Sequence, residues 1–178
     1  GALCIGIVQG SKCSDINLGD YIYGTVLNSE TLKNAVILSE QPEIKRVVTI
    51  ENKANFVSAP YQEGTLYIFS HGYFSPREKR FLQRLWAVLE GKGVQFYHSG
   101  DLDYGGVKIF EYIKKNIFPD VRPLMMDVET YERYLAWGEP IAAKTLQKLK
   151  NTKIPELQGL IDAIMEKRVA VEQECFLM

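Results

Sequence analysis

Two aspartates separated by one residue, Asp101 and Asp103, are of a type and spacing suited to binding a metal ion. They follow an apolar, strand-like run and precede Gly105 and Gly106, which open the next predicted helix. In an extended chain, residues i and i+2 point to the same side, with α-carbons roughly 6–7 Å apart. Two carboxylates this close repel each other, so the pKa of one rises unless a cation neutralises both. The pair therefore predicts a divalent cation with oxygen ligands, such as Mg²⁺.

Strand-like and helix-like segments alternate along the chain, which predicts a parallel sheet with right-handed crossovers. In such sheets ligands bind beyond the carboxyl ends of the strands. Three predicted strands, at residues 45–50, 65–69 and 94–98, each lead into polar residues. We expect these polar residues to be neighbours at one edge of the sheet: Glu51 and Asn52, Ser70 and His71, and Asp101 and Asp103.

Helix-start signals support this alternation. Ser75 and Glu78 form a capping box, with Pro76 at the first helical position. Asn52 and Asp127 are placed to cap two shorter helices. The other expected elements are a strand at residues 122–126, helices at 141–150 and 157–171, one or two strands at 3–8 and 21–26, and a strand or short helix at 32–38.

Composition indicates an ordinary folded domain. The 178 residues are 46% hydrophobic and 24% charged, which is typical of one domain with a short appendage. We expect an N-terminal extension, or the remnant of a preceding domain, at residues 1–40 and a main domain at residues 41–178. Gly1 in place of methionine suggests a processed or excised fragment. Because the net charge is −1, any nucleic acid must be held by local basic patches.

No membrane or secretory segment is expected. No apolar stretch approaches the ~20 residues of a membrane span. The run at residues 3–8 is too short, and lacks the basic flank, for a secretory signal. Cys4, Cys13 and Cys175 have no paired spacing, which argues against a disulfide framework or a zinc site. These features favour a protein of the reducing cytoplasm.

The residues around the acids resemble a known family. The segments 50–52 and 100–106 resemble the two signature motifs of the TOPRIM domain, which topoisomerases, bacterial primases and several nucleases share. Residues 51–56, 70–73 and 171–174 are similar to the C-terminal domain of the JetD subunit of Wadjet plasmid-defence systems, itself similar to the topoisomerase VI A subunit. The resemblance covers roughly residues 45–175. It implies an α/β fold with a TOPRIM-like Rossmannoid sheet, mostly parallel, and helices on both faces.

The resemblance also implies a nuclease that uses Mg²⁺ or Mn²⁺ to cut plasmid DNA and is recruited by a condensin-like (SMC) complex. Glu51 matches the TOPRIM glutamate, a metal ligand or general base, while Asp101 and Asp103 match the aspartate pair that holds one or two ions. Such ions activate water and stabilise the leaving oxygen in phosphodiester hydrolysis. Gly105 and Gly106 would let the backbone approach a DNA phosphate at the helix N-terminus. Nothing here resembles the winged-helix domain that carries the topoisomerase tyrosine, so strand passage is not implied.

Other charged residues are candidates for the same edge. His71 could position a phosphate or only hold a turn. Arg77 and Arg80 share one helix face with Arg84, and both could follow a DNA backbone or simply face solvent. A second basic cluster comprises Lys144, Lys148, Lys150 and Lys153. Glu172 and Glu174 fall at the end of the helix expected at residues 157–171, where negative charge is unfavourable, so we consider them for the acidic edge.

Simpler interpretations compete with these assignments. The aspartate pair could be a solvated turn that opens a helix, and His98 a structural residue within its strand. At the level of function, one alternative is a non-catalytic TOPRIM-like module that binds nucleic acid or a partner protein, and a homodimer is compatible with the sequence. Another is a receiver-type or phosphatase domain that accepts a phosphoryl group. Such domains carry their nucleophile after the first strand, where this chain has Glu51.

Overall fold

The computed structural model describes residues 4–9, 12–21, 23–37 and 44–178. Its strands are β1 Cys4–Gln9, β2 Lys12–Asn17, β3 Ala35–Ile37, β4 Arg46–Ile50, β5 Thr65–Phe69, β6 Gln95–Ser99, β7 Arg122–Pro123, β8 Glu139–Pro140 and β9 Val169–Ala170. Its helices are α1 Ser29–Lys33, α2 Lys53–Ser58, α3 Pro76–Leu89, α4 Tyr104–Asn116, α5 Val128–Tyr134, α6 Ala143–Lys150 and α7 Gln158–Lys167.

The centre of the molecule is a parallel four-stranded sheet with the order β5-β4-β6-β7. Helices connect its strands and flank it, so the expected α/β class, a Rossmannoid sheet of the TOPRIM-like kind, is confirmed. The chain leaves β4 towards β5 on one side and leaves β6 towards β7 on the other. Adjacent strands whose connections diverge create a crevice at their carboxyl ends, the usual place for a ligand in such sheets. Here that crevice lies between β4 and β6.

Helix α3 begins as the sequence predicts. The Ser75 hydroxyl accepts a hydrogen bond from the Glu78 N–H, and the Glu78 carboxylate accepts one from the Ser75 N–H at 2.7 Å. Asn52 and Asp127 likewise cap α2 and α5, which confirms both predictions. The buried face of α3 consists of Phe81, Leu82, Leu85 and Leu89.

The hydrophobic core extends to the carboxyl ends of the strands through α4 and the loop before it. Val107, Phe110 and Ile113 of α4 are completely buried, and so is Leu102 between the two aspartates. Burying a leucine side chain stabilises the fold by about 2 kcal/mol. Leu102 therefore anchors the loop that carries the aspartates to the core.

The N-terminal part forms a separate three-stranded antiparallel sheet with the order β2-β1-β3. The prediction of a strand at residues 21–26 is wrong, because the described residues there form no strand. The second strand of the chain, β2, lies earlier. Gly24 adopts a left-handed φ of 89°, which an extended strand excludes. The segment at 32–38 contains the end of α1 and β3, with residue 38 outside the described residues. The division at residue 40 stays a prediction.

Two elements in the C-terminal half are shorter than predicted. The strand expected at residues 122–126 ends at Pro123, and Met125 adopts a left-handed φ of 56°. The helix expected at residues 157–171 ends at Lys167, because Arg168 turns left-handed at φ 58° and the chain then pairs as β9 with β8. No helix in the described part of the chain is long and apolar enough to cross a membrane.

Candidate catalytic site

Glu51 and Asp101 follow neighbouring strands and come together at the crevice between them. Strands β4 and β6 pair in parallel, with Ile50 opposite Ser99. The Glu51 N–H continues this ladder by donating to the Ser99 carbonyl at 3.0 Å. The Asp101 N–H in turn donates to Oε2 of Glu51 at 3.3 Å. The backbone therefore fixes the two acids beside each other, although 49 residues separate them in the sequence.

Asp103 lies close enough for its charge to raise the pKa of Glu51 and Asp101, and it also caps a helix. Its Oδ1 accepts a hydrogen bond from the Gly106 N–H at 2.8 Å, at the first turn of α4. This is the helix-opening turn that the simpler interpretation expects, and it occupies one carboxylate oxygen. A Cβ on Gly106 would lie 2.9 Å from the backbone N and C of Asp101 and closer still to its carbonyl oxygen. Only glycine therefore allows the aspartate loop to fold against α4.

Residues 171–177, the C-terminal segment, close the site from a distant part of the chain. Leu102 and Val171 exchange backbone hydrogen bonds of 2.8 and 3.2 Å. Gln173, only 2% exposed, follows. Its N–H donates to Oδ1 of Asp101 at 2.7 Å. Its side-chain amide donates to the Ser99 hydroxyl at 2.7 Å and accepts from the Asn52 N–H at 2.9 Å.

Sequence reasoning did not assign this role to Gln173. Val171, Gln173 and Cys175 are buried, whereas Glu172 and Glu174 between them are exposed. The alternation of buried and charged residues was a signal that the glutamine points inward. An inward-pointing amide needs both a donor and an acceptor, and the ends of β4 and β6 supply them. Gln173 thus links both strand ends to the aspartate loop.

The placement of Glu172 and Glu174 at a helix C-terminus is wrong. Because α7 ends at Lys167, Glu172 instead precedes a short 3₁₀ helix, Gln173–Leu177, and Glu174 lies in its first turn. Negative charge is favourable there, so the electrostatic conflict inferred from the sequence does not exist. Both carboxylates nevertheless lie close enough to the site for their charges to raise the pKa of Asp101.

The carboxylates are held in a setting that disfavours their charge. Burial raises the pKa of Glu51 to about 7, and the charges of Asp101, Asp103 and Glu172 add to the rise. Burial raises the pKa of Asp101 to about 6; the Gln173 N–H opposes this rise, while Glu172 and Asp103 add to it. A cation at the edge would relieve both costs.

The donor set suits Mg²⁺ or Mn²⁺. Each of Glu51, Asp101 and Asp103 has one oxygen held by a backbone N–H, and the second oxygen accepts no hydrogen bond from the described residues. Among those residues, no three His, Cys, Asp or Glu side chains converge closely enough to form a complete ion cage. Mg²⁺ commonly uses only one or two carboxylates and keeps several waters. Glu51 and Asp101 therefore fit as such a pair.

His98, in β6, lies near Glu51, and both side chains adjoin Gly100. Its ring is completely buried, with Nδ1 2.8 Å from the Thr49 hydroxyl and Nε2 without a partner among the described residues. Burial lowers its pKa to about 3, so the ring is neutral. A Cβ on Gly100 would lie 2.5 Å from Glu51 Oε2 and 3.0 Å from His98 Nε2. The absent side chain of Gly100 therefore leaves the space that the glutamate occupies.

The histidine and the arginines predicted to contact DNA lie apart from the carboxylates. His71 follows β5, on the far side of β4, with a φ of 40° and its Nε2 3.2 Å from Glu78 Oε1. Arg77 pairs with Glu30 of α1, and Arg84 donates to backbone carbonyls at 3.2 and 3.3 Å in the N-terminal part. Two of the three arginines on this face of α3 thus hold the N-terminal segment, while Arg80 is exposed.

The raised pKa values predict that the metal-free protein loses stability as the pH rises. In the unfolded chain the carboxyls titrate at 4.5 and 3.8, whereas in the folded protein Glu51 and Asp101 titrate at about 7 and 6. Their contribution to the free energy of unfolding is therefore fully present below the pKa values of the unfolded chain. It is lost as the pH rises from about 4 to about 8. After allowance for solvent screening we expect a loss of about 2 kcal/mol, measured by urea unfolding in EDTA.

The matched comparison for this pH dependence is the double variant Glu51→Gln, Asp101→Asn. It cannot ionise at either position, so its free energy of unfolding should change less between pH 5 and pH 8. In the wild-type protein, saturating Mn²⁺ should restore at pH 8 the free energy of unfolding that ionisation of the carboxyls removes. It should have little effect at pH 5, because protonated carboxyls do not bind the ion. A wild-type pH slope identical to that of the double variant would contradict the electrostatic account.

Comparison with known proteins places the chain in a family. Residues 16–178 match the family described as Wadjet protein JetD, C-terminal. The Wadjet protein JetD of Bacillus cereus (strain Q1) is 34% identical over 172 residues, which cover 94% of this chain and 41% of that protein. The chain thus spans about two fifths of the length of this relative. Because the family match includes all the described residues from β4 onward, the chain belongs to the JetD C-terminal family.

Proposed function

We propose that this chain is the DNA-cleaving domain of a Wadjet-type anti-plasmid defence protein and hydrolyses phosphodiester bonds with Mg²⁺ or Mn²⁺. The observation that carries the proposal is the pair Glu51 and Asp101 at the crevice between β4 and β6. Both carboxylates are partly buried, both have raised pKa values, and each has one oxygen that accepts no hydrogen bond from the described residues. Strongly perturbed acids in a crevice are typical of catalytic sites.

The residues divide the work of hydrolysis between them. When bound, one or two metal ions would polarise the phosphoryl group and stabilise the leaving oxygen. Glu51 and Asp101 would hold the metal directly, and Asp103 would contact it through one of the waters that Mg²⁺ keeps. Alternatively, a Glu51 carboxyl that stays off the metal keeps its raised pKa of about 7 and is suited to take a proton from the attacking water at neutral pH. Helix α4 begins at Tyr104, and the positive end of its dipole there favours a phosphate beside the aspartates.

The relative suggests where the substrate comes from. Its name places it in the Wadjet system, and the chain matches only 41% of its length. We infer that a condensin-like complex and regions outside this chain bring plasmid DNA to the site, in the cytoplasm. The TOPRIM resemblance of segments 50–52 and 100–106 supports the same chemistry.

The test of the proposed function is plasmid cleavage by the full-length protein together with its partner complex. We expect nicked or linear product with Mg²⁺ or Mn²⁺ and none after the ions are removed with EDTA, with activity restored when excess Mn²⁺ is added back. The protein and the complex are the same in both arms. Equal cleavage in EDTA and in Mn²⁺ would remove the metal from the mechanism.

A second candidate function is a non-catalytic module that binds DNA or a partner protein. It is favoured by the helix-capping bond of Asp103 and by the lack of a complete ion cage among the described residues. Calorimetric titration with Mn²⁺ separates the two functions. The nuclease proposal expects binding that weakens in Asp103→Ala and Asp101→Ala, whereas the module expects no binding in any form.

A further inference from the structure

One face of α4 carries a row of tyrosine and lysine side chains beside the carboxylates. Tyr104, Lys108 and Tyr112 are spaced four residues apart, so they line one side of the helix. The row begins one residue after Asp103 and leads away from the site. Tyr73, from the turn after β5, packs edge-on against Tyr112 with ring centroids 5.1 Å apart.

Lysines from two other helices extend the row. The Nζ of Lys148, on α6, lies 5.4 Å from the centre of the Tyr104 ring, and the Nζ of Lys79, on α3, lies 5.9 Å from that of Tyr112. A cation over an aromatic ring is attracted to its face, which orients both groups. We call these six side chains the lysine–tyrosine surface: Tyr73, Lys79, Tyr104, Lys108, Tyr112 and Lys148.

The lysines outnumber the acids on this surface. Glu111 pairs with both Lys108 and Lys115. Its hydrogen bond raises the pKa of Lys108, and smaller contributions from Tyr104 and Tyr73 show that both rings lie near the ammonium. Glu78 is held by the capping box of α3 and by His71.

Two of the cations have no acidic partner. Lys79 donates to the amide oxygen of Asn116 at 2.9 Å, and no carboxylate of the described residues pairs with Lys79 or Lys148. The local charge is therefore positive, next to a site that is strongly negative without metal. A surface of this kind attracts a polyanion and repels a basic protein.

Tyr73 is the exposed ring of the surface. It is 56% exposed, yet it is held in place by Tyr112, whose hydroxyl donates to the Phe74 carbonyl at 3.2 Å. A pre-positioned aromatic ring beside lysines is the arrangement that proteins use to stack unpaired bases. Bases inside a duplex are already stacked on one another and offer only their edges.

We propose that the lysine–tyrosine surface binds an unpaired stretch of DNA strand next to the carboxylates, with a base stacked on Tyr73 and phosphates beside Lys108 and Lys148. The proposal rests on the proposed nuclease function and adds to it the form of the substrate. The cleaved strand reaches the site locally separated from its complement and runs along α4.

The first test is binding of the full-length protein to a fluorescein-labelled oligothymidylate in EDTA, followed by fluorescence anisotropy. Tyr73→Ala should weaken single-strand binding about tenfold, whereas Tyr73→Phe keeps the ring and should bind like wild type. Binding of an unlabelled duplex, measured by competition, should change by less than about twofold in either variant, since stacking is not available to it. Thermal unfolding checks that both variants are folded.

The second test uses salt. Lys148→Gln should reduce the slope of log affinity against log salt by about 0.7 on the single strand. Lys45→Gln is the matched control, because Lys45 is exposed and precedes β4 at the opposite edge of the sheet, and it should leave the slope unchanged.

Three outcomes would overturn the proposal: unchanged binding in Tyr73→Ala, equal losses in Tyr73→Ala and Tyr73→Phe, or equal losses on single-stranded and duplex DNA. Failure of the nuclease function gives a different result. In that case the anisotropy differences persist while no variant or wild-type protein cuts plasmid with Mn²⁺. The two proposals therefore fail separately.

Discussion

Replacing Asp101 with asparagine is expected to lower plasmid cleavage by about a thousandfold while leaving the protein folded. Asparagine keeps the oxygen that accepts the Gln173 N–H at 2.7 Å, so the C-terminal segment should stay in place. The change removes one of the two partly buried negative charges that would hold the ion. Loss of one such electrostatic group commonly lowers the rate by about 10²- to 10³-fold, which is the size of effect expected here. The measurement is the initial rate of plasmid linearisation in Mn²⁺ with the partner complex.

The control for this prediction is Asp120→Asn. Asp120 is exposed in the turn before β7, so the same chemical change there should leave the cleavage rate within about twofold of wild type. The Asp101→Asn protein should also be more stable than wild type at pH 8 without metal. Burial raises the pKa of the Asp101 carboxyl, so its ionisation at pH 8 costs stability that the asparagine does not lose. Wild-type cleavage by Asp101→Asn would show that this carboxylate is not part of the catalytic site.

Replacing Gln173 with alanine is expected to affect both stability and activity. The substitution leaves the Ser99 hydroxyl and the Asn52 N–H without their buried partner, which we expect to cost about 2–4 kcal/mol in the free energy of unfolding. Groups that orient metal ligands typically change metal affinity or activity about 10- to 100-fold when removed. Urea unfolding and Mn²⁺ titration measure the two effects separately.

A conservative variant separates positioning from mere stability. In Gln173→Glu, carboxylate oxygens can accept from both the Asn52 N–H and the Ser99 hydroxyl, so the fold should be largely retained. The added charge beside Asp101 should raise the pH needed for half-maximal Mn²⁺ binding. If Gln173→Glu binds Mn²⁺ with the wild-type pH profile, and Gln173→Ala loses only stability, Gln173 has no role in positioning the carboxylates.

Much of the site follows from local sequence and from one rule of topology. Polar residues after parallel strands lie along one edge, so that Glu51 and Asp101 share that edge could be predicted without knowing the strand order. The capping box of α3 depends on Ser75 and Glu78 alone, and local rules are enough for it. The spacing of Asp101 and Asp103 predicts that both lie on one side of the loop, and Leu102 between them is buried.

What could not be predicted depends on long-range pairing or on an unusual backbone conformation. Strand order decides that the crevice lies between β4 and β6, so that β4 separates His71 from the aspartates. Arg168 ends α7 in a left-handed conformation that non-glycine residues rarely adopt, and no local signal predicts it. That turn directs the C-terminal segment across Leu102 and delivers Gln173 to the site.

The dependence of the site on the C-terminal segment has a consequence for protein synthesis. Asp101 is held by Gln173, and Leu102 pairs with Val171, so the acids gain their final arrangement only after the ribosome has passed those residues. A nascent or truncated chain that ends earlier contains all three carboxylates but lacks what orders them. If the domain cuts DNA, incomplete copies should therefore cut the chromosome of the cell that makes them less efficiently than the finished domain.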